Sequence, residues 1–230
     1  TAYFLYRLEY GRAAFQSLQE FVFGRFAKRV WVVLIGGLII CGSVYTVAGT
    51  HSRLQNRFNI LPITLNGAEF MQHASYRLDD IGIELDELRW DYDAIRWIRS
   101  EINGTPVIAE GQGRLYRTLH GRVSIYTGMP TILGWDNHQS QQRGYGETIN
   151  SRIEDIRLIY SAKKWKDVEQ IIHKYNVKYI YVGDIERYFY PEEGLEKFTT
   201  AVGTDLSLAY SNPGVNIYHV LDKSTSFEPL

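Results

Sequence analysis

The sequence predicts an α/β sandwich with a mixed sheet and a C-terminal β-hairpin, placed behind a single transmembrane helix. Three observations lead there. Val30 to Gly49 (VWVVLIGGLIICGSVYTVAG) holds 20 residues without a charge, just after Arg25, Lys28 and Arg29. In lipid each backbone polar group must be satisfied within its own segment, and about 20 apolar helical residues cover the hydrocarbon core. Beyond this run, short β-rich stretches alternate with helical patterns, the order expected of a partly parallel sheet covered by helices. Near the end, Leu206–Tyr210 and Val215–Leu221 flank the turn Ser211-Asn212-Pro213-Gly214, a hairpin signal.

Composition excludes several classes. The net charge of -1 leaves no basic face for nucleic acid. The one cysteine, Cys41, lies inside the apolar run, so no intrachain disulfide and no Cys-based metal site is expected. Six histidines are scattered, none with i, i+4 ligand spacing, so neither a metal nor a cofactor is expected. The 17 Tyr and 5 Trp suit a domain beside a membrane interface as well as ordinary core and sheet positions. The chain begins with Thr and reads as the tail of a longer or processed polypeptide.

Residues 1–29 read as a membrane-surface segment. Phe15, Leu18, Phe21, Val22 and Phe26 recur near helical spacing with polar residues between them. Residues 30–50 form the span, whose Gly36, Gly37 and Gly42 suit close packing on other membrane helices. The bias of Arg7, Arg12, Arg25, Lys28 and Arg29 over Arg53 and Arg57 places the N-terminal side in the cytoplasm. The folded domain is then extracytoplasmic. Residues 51–65 are a connector that prolongs the helix, 66–222 the α/β domain, and 223–230 a polar tail.

Within the domain, Ala68–Tyr76 reads as a short helix. Asp91 or Asp93 caps a helix carrying Ala94, Ile95, Ile98 and Ile102, which stops at Asn103-Gly104. Thr105–Glu110 and Arg122–Tyr126 read as strands. Thr127–Gly146 has no periodicity and reads as a loop. Helices follow at Thr148–Tyr160 and Trp165–Tyr175, then a strand at Lys178–Gly183 and a helix at Glu192–Thr199. The acidic run Glu84, Asp86, Glu87, Asp91 and Asp93 is most simply a solvated face.

The candidate site lies at the carboxyl end of the first strand and in the segment after it, because loops outside strand carboxyl ends gather convergent polar groups. The ligand-binding candidates are Glu110, Arg122, Ser124, Thr127, Trp135, His138, Gln139 and Arg143. A Trp face beside His and Gln suits a sugar or lipid headgroup. A long ordered loop that satisfies its own backbone and plugs the core with Trp135 is the competing reading. Glu110 orients Arg122 as an ion pair or acts as a general base. No catalytic residue is assigned.

From Arg122 the chain reads R-x-S-x-x-T-G-x-P-T-x-L-G-W-x-x-H-Q-x-Q-x-R, ending at Arg143. With Pro106-Val107-Ile108, Glu110, Arg152, Asp155, Tyr160, Lys178–Gly183 and Glu186-Arg187, this pattern resembles the family of polytopic membrane proteins with a YYY domain, from chloroflexi and archaea. Where that family often has Trp after HQ-x-Q, this chain has Gln142. The resemblance implies a many-spanned N-terminal part similar to transferases that use lipid-linked sugars, with this domain as its extracytoplasmic cap. In such transferases the catalytic carboxylates lie between the first membrane helices, which these 230 residues do not include. Two functions follow as expectations. One is an extracytoplasmic domain that caps or shapes the substrate site of a lipid-linked-sugar glycosyltransferase. The other is a non-catalytic accessory subunit of a membrane complex. Expected partners are membrane lipids, other transmembrane helices or subunits, and a lipid-linked sugar.

Overall fold

The computed structural model describes residues 24–58, 64–74, 76–78, 83–85, 87–113, 119–144 and 146–222. The surface segment expected over 1–29 lies outside the described residues up to position 23, as do 59–63 of the connector and the tail 223–230. The chain divides into two compact units, Thr1–Ile60 and Leu61–Leu230.

The first unit contains helix α1, Arg25–Phe58. Its stretch Phe26–Leu54 is long and apolar enough to cross a membrane, a composition shared by membrane anchors and signal sequences. Trp31, Leu34, Leu38 and Ile39 stand exposed along it. Two hydroxyls in it bond back along the helix, Ser43 to the Ile39 carbonyl at 2.8 Å and Thr46 to the Gly42 carbonyl at 3.3 Å. Both are thereby satisfied within the helix, as an apolar surrounding demands.

The second unit opens with a 3-10 turn, Glu69–Gln72, shorter than the helix expected over Ala68–Tyr76, because Tyr76 already starts a strand. Strands β1 (Tyr76–Leu78) and β2 (Ile83–Leu85) pair antiparallel as a separate ribbon. Helix α2 follows (Arg89–Glu101), then β3 (Val107–Ala109), α3 (Arg122–Thr127), α4 (Asp136–Arg143) and α5 (Gly146–Ser161). A 3-10 turn (Trp165–Asp167) and α6 (Glu169–Lys174) replace the single helix expected over Trp165–Tyr175. Strand β4 (Val177–Val182), α7 (Asp184–Phe189), α8 (Glu192–Thr200), β5 (Leu206–Ser211) and β6 (Asn216–Val220) complete the fold.

The main sheet has the order β3-β4-β6-β5. β3 and β4 are parallel, with Ile108 opposite Tyr179; β6 pairs antiparallel with both β4 and β5. The sheet is therefore mixed, and the C-terminal hairpin is present. Strand alternation sends successive side chains to opposite faces. Ile180, Val182, Tyr218 and Val220 pack with Ile156, Ile159 and Tyr160 of α5, Ile172 of α6 and Phe198 of α8. Tyr181 and Ile217 turn the other way, into a core with Ala94, Ile98 and Ile102 of α2. Helices thus cover both faces of the sheet.

Two segments depart from expectation around the candidate site. Arg122–Tyr126 is helix, not strand. Its β-branched and aromatic residues favour a strand locally, but tertiary hydrogen bonds decide otherwise. Gly121 and Gly128 take left-handed conformations at its two ends (φ 83° and 75°), which favour glycine. The Glu110 carboxyl, from outside the helix, accepts the N–H groups of Val123 (3.1 Å) and Ser124 (3.3 Å) at the helix start. Second, Thr127–Gly146 is not all loop. Asp136–Arg143 forms α4, whose sequence DNHQSQQR buries no residue and so carries no apolar period.

Candidate functional site

The parallel strands β3 and β4 deliver their carboxyl ends side by side, and both lead into groups that one arginine gathers. After β3 come Glu110 and Gly111; after β4 come Gly183 and α7, which presents Glu186. Arg122 of α3 is fully buried. Its Nε donates to Asp91 Oδ1 at 2.5 Å, and its Nη2 and Nη1 donate to Glu186 Oε2 (2.7 Å) and Oε1 (3.3 Å). The bidentate geometry matches the guanidinium fork to a carboxylate. Glu186 also accepts the N–H of Gly183 at 2.8 Å and of Gly111 at 2.9 Å, so one carboxylate joins the ends of both strands. Tyr181 donates its hydroxyl to Asp91 Oδ1 at 2.6 Å and lays its ring 4.9 Å from the guanidinium carbon. A Cβ at Gly183 would stand 2.7 Å from Arg122 Nη2, so a larger residue there would have to push the guanidinium off Glu186.

Electrostatics follow from this burial. Burial opposes the charge on Arg122, but Asp91 and Glu186 more than offset it and hold the guanidinium protonated. For Glu186 burial works against the carboxylate, while Arg122 and the two N–H groups outweigh it and lower its pKa. Glu110 behaves oppositely. Burial, with Arg122 opposing only in part, raises its pKa to about 7.

That shift has a testable sign. Glu110 has its folded pKa raised above its ordinary 4.5, so its contribution to stability is present below about pH 4.5 and is lost as pH rises through about 7. Glu110→Gln cannot titrate. Thermal unfolding of the full chain at pH 5 and pH 8 is expected to show the variant gaining on the wild type at the higher pH. A difference between the two proteins that does not change with pH would contradict the assignment.

A cleft of about 380 Å³ lies beside this cluster. Its walls include Gln112 and Gly113 after β3, Asp136 at the start of α4, Glu154, Arg157 and Ser161 of α5, Phe189 at the end of α7 and Tyr190 after it. The Tyr190 hydroxyl donates to the Gln112 carbonyl (3.0 Å) and accepts the Gln112 N–H (2.9 Å). Burial pushes the Tyr190 pKa up to about 12, so the phenol stays protonated and keeps both bonds. The Gln112 side chain donates to the Gly134 carbonyl at 3.3 Å. Arg157 and Glu154 form an exposed pair at 2.8 Å. This lining offers carboxylate, guanidinium and hydroxyl groups beside an apolar wall.

The structure separates the eight sequence-derived candidates into interior residues and residues on or near the surface. Glu110 and Arg122 are interior; the Glu110 oxygens accept α3 backbone N–H groups, and Arg122 acts on Glu110 as a nearby charge. Ser124 and Thr127 bond within α3, to the Gly121 carbonyl (3.0 Å) and the Val123 carbonyl (2.6 Å). Trp135, His138, Gln139 and Arg143 belong to α4 and its approach. Trp135 is 42% exposed, donates its indole N–H to the His120 carbonyl at 2.9 Å, and stacks 5.1 Å from His138. It is thus a surface ring rather than a core plug. Arg143 is exposed.

Asp91, Tyr181 and Glu186 were not among the site candidates read from the sequence, nor were Gln112, Arg157 and Tyr190. The sequence reads Asp91 as a helix cap or part of a solvated acidic face; it is 3% exposed and is the third residue of a helix whose N-cap is Leu88. Glu186 had a readable signal, a Glu three residues after a Gly that ends a strand. Among the described residues no group of three or more His, Cys, Asp or Glu could hold a metal ion.

No protein-family model matches the chain, and no curated protein matches it. Among solved structures the chain is similar to the C-terminal globular domain of an oligosaccharyltransferase from Archaeoglobus fulgidus, with a TM-score of 0.37 and 12% identity, covering 56% of this chain and 95% of that one.

Proposed function

We propose that this chain is the membrane-anchored, extracytoplasmic domain of a YYY-type, glycosyltransferase-like membrane protein, and that it shapes the site for a lipid-linked sugar. The observation that carries the reading is the cleft after the carboxyl end of β3, walled also by α5 and by Phe189 and Tyr190. A sugar presents hydroxyls that both donate and accept, with an apolar C–H face. Gln112, Asp136, Glu154, Arg157 and Ser161 beside Phe189 supply the matching groups, in a volume within the range of about 300–1,000 Å³ usual for small-ligand sites. The Arg122 cluster holds both strand ends in place, so the walls are preorganised. The apolar α1 supports anchoring, and the basic residues before it support an extracytoplasmic head.

A second reading, an accessory subunit of a larger membrane complex, is favoured by two observations. A Cβ placed at Gly36, Gly37 or Gly42 of α1 would meet nothing within 4 Å, which leaves a smooth surface for a partner helix. Glu110 and Arg122, expected to line an open pocket, are enclosed by their own chain.

Saturation-transfer NMR on the full chain in detergent, with a panel of methyl hexosides, separates the two. Binding is expected, and Arg157→Ala and Glu154→Ala are each expected to weaken it about tenfold, the size of one charge-assisted hydrogen bond, without shifting the thermal midpoint. No binding by the wild type, or unchanged binding by both variants, removes the sugar site and leaves the subunit reading.

A further inference from the structure

A second cleft, of about 990 Å³, opens between the chain at 65–68 and the outer side of α2. Asn66 fixes the first of these walls. Its side-chain amide donates to Glu69 Oε2 at 2.7 Å and to the Tyr92 hydroxyl at 3.3 Å, and its Oδ1 accepts the Ala68 N–H at 3.2 Å. The segment is thereby tied to α2. On the other wall Arg96 and Arg99 stand three positions apart, so they are neighbours on one side of the helix. Both are exposed and both line the cleft. The Arg96 guanidinium carbon lies 5.8 Å from the centre of the Tyr92 ring, itself part of the lining, which sets this head against the cleft wall. Among the described residues neither arginine belongs to an ion pair.

The same lining carries apolar surface beside the charge. Leu65 is fully exposed, and Trp97 is half-buried. A guanidinium suits a phosphate, because its planar fork donates two parallel hydrogen bonds to the phosphate oxygens. An exposed leucine and an indole suit the region just below a lipid headgroup, where apolar and aromatic side chains settle at a bilayer surface. Leu65 is the seventh residue after Phe58, the last of α1, so a bilayer that holds α1 acts on the folded unit as a partner joined by a short linker. We propose that this cleft docks on the headgroup of an anionic phospholipid. Arg96 and Arg99 hold the phosphate, and Leu65 and Trp97 meet the apolar part of the lipid below it. Asp93 also lies on the lining and disfavours a cationic headgroup less than the two guanidiniums favour an anionic one. The inference rests on the anchored reading of α1 and is independent of the sugar reading of the first cleft.

Titration calorimetry of the full chain in a nonionic detergent tests this, with dihexanoyl phosphatidylglycerol, dihexanoyl phosphatidylcholine and glycerol 3-phosphate as probes. Saturable binding of the phosphatidylglycerol is expected, at least tenfold tighter than that of either other probe. Replacing both arginines, Arg96→Gln with Arg99→Gln, is expected to weaken it at least tenfold, to the level of phosphatidylcholine. Leu65→Ser is expected to weaken phosphatidylglycerol several-fold and to leave glycerol 3-phosphate unchanged. All three side chains are exposed, so a thermal scan is expected to show wild-type midpoints. No preference for phosphatidylglycerol over phosphatidylcholine, or a preference that survives the double replacement, overturns the proposal. Glycerol 3-phosphate binding as tightly as the lipid assigns the phosphate to a soluble ligand and overturns the docking. These outcomes leave the anchored reading of α1 in place. A chain that stays monodisperse without detergent removes that reading and the lipid site together.

Discussion

Arg122→Met is expected to destabilise the folded unit by about 3–5 kcal/mol, the usual cost of removing one partner from a buried ion pair. The methionine fills much of the same volume, so packing is not the cause. What remains is Asp91 and Glu186, both nearly inaccessible to water, facing each other with no cation between them. Glu186 keeps the N–H groups of Gly111 and Gly183, and Asp91 keeps the Tyr181 hydroxyl, so the loss is large rather than total. A unit of this size loses about 2–4 °C in thermal midpoint per kcal/mol, which puts the expected drop near 10 °C or beyond. Adding Asp91→Asn and Glu186→Gln to Arg122→Met should restore part of the loss, because the cost resides in uncompensated charge rather than in the missing contact. A single variant that melts within about 2 °C of the wild type would show that the cluster is not the structural centre described here.

Gly194→Ala carries the second large effect, about 1–3 kcal/mol of destabilisation from overpacking. In an ordinary helix this exchange stabilises by about 1 kcal/mol, since glycine is a poor helix former. Here the added Cβ runs into the backbone of the last turn of α5, at the Tyr160 carbonyl and 2.8 Å from Ser161 Cα. Backbone cannot swing aside as a side chain can, so α8 must move off α5. That movement loosens the edge-on contact of Phe198 with Tyr160, whose ring centroids lie 5.8 Å apart in the main core. Denaturant unfolding measures the balance. An unchanged or raised midpoint would mean that the two helices do not pack this closely.

How much of this was legible in the residues depended on the range of the interactions that decide each part. The apolar run of α1, the strands Val107–Ala109 and Val177–Val182 and the C-terminal hairpin were readable, because each rests on a local pattern of apolar or turn residues. The helix Arg122–Thr127 was not. Its RVSIYT sequence favours a strand, and the cap that makes it helical comes from Glu110, 13 positions away from Val123. Helix α4 was missed for a different reason, since a helix with no buried face has no apolar period to detect.

The candidate site divides along the same line. The segment from Glu110 to Arg143 was located from composition, yet its members were sorted only by folding. Arg122 and Asp91, 31 positions apart, and Arg122 and Glu186, 64 apart, meet because three separate elements converge at one end of the sheet. The sequence by itself determined an apolar helix followed by an α/β fold with a hairpin at its edge, because periodicity and turn chemistry act over a few residues. Only the tertiary structure decided which charges are buried together and which remain on a cleft wall, because charge pairing and desolvation depend on neighbours that lie far apart along the chain.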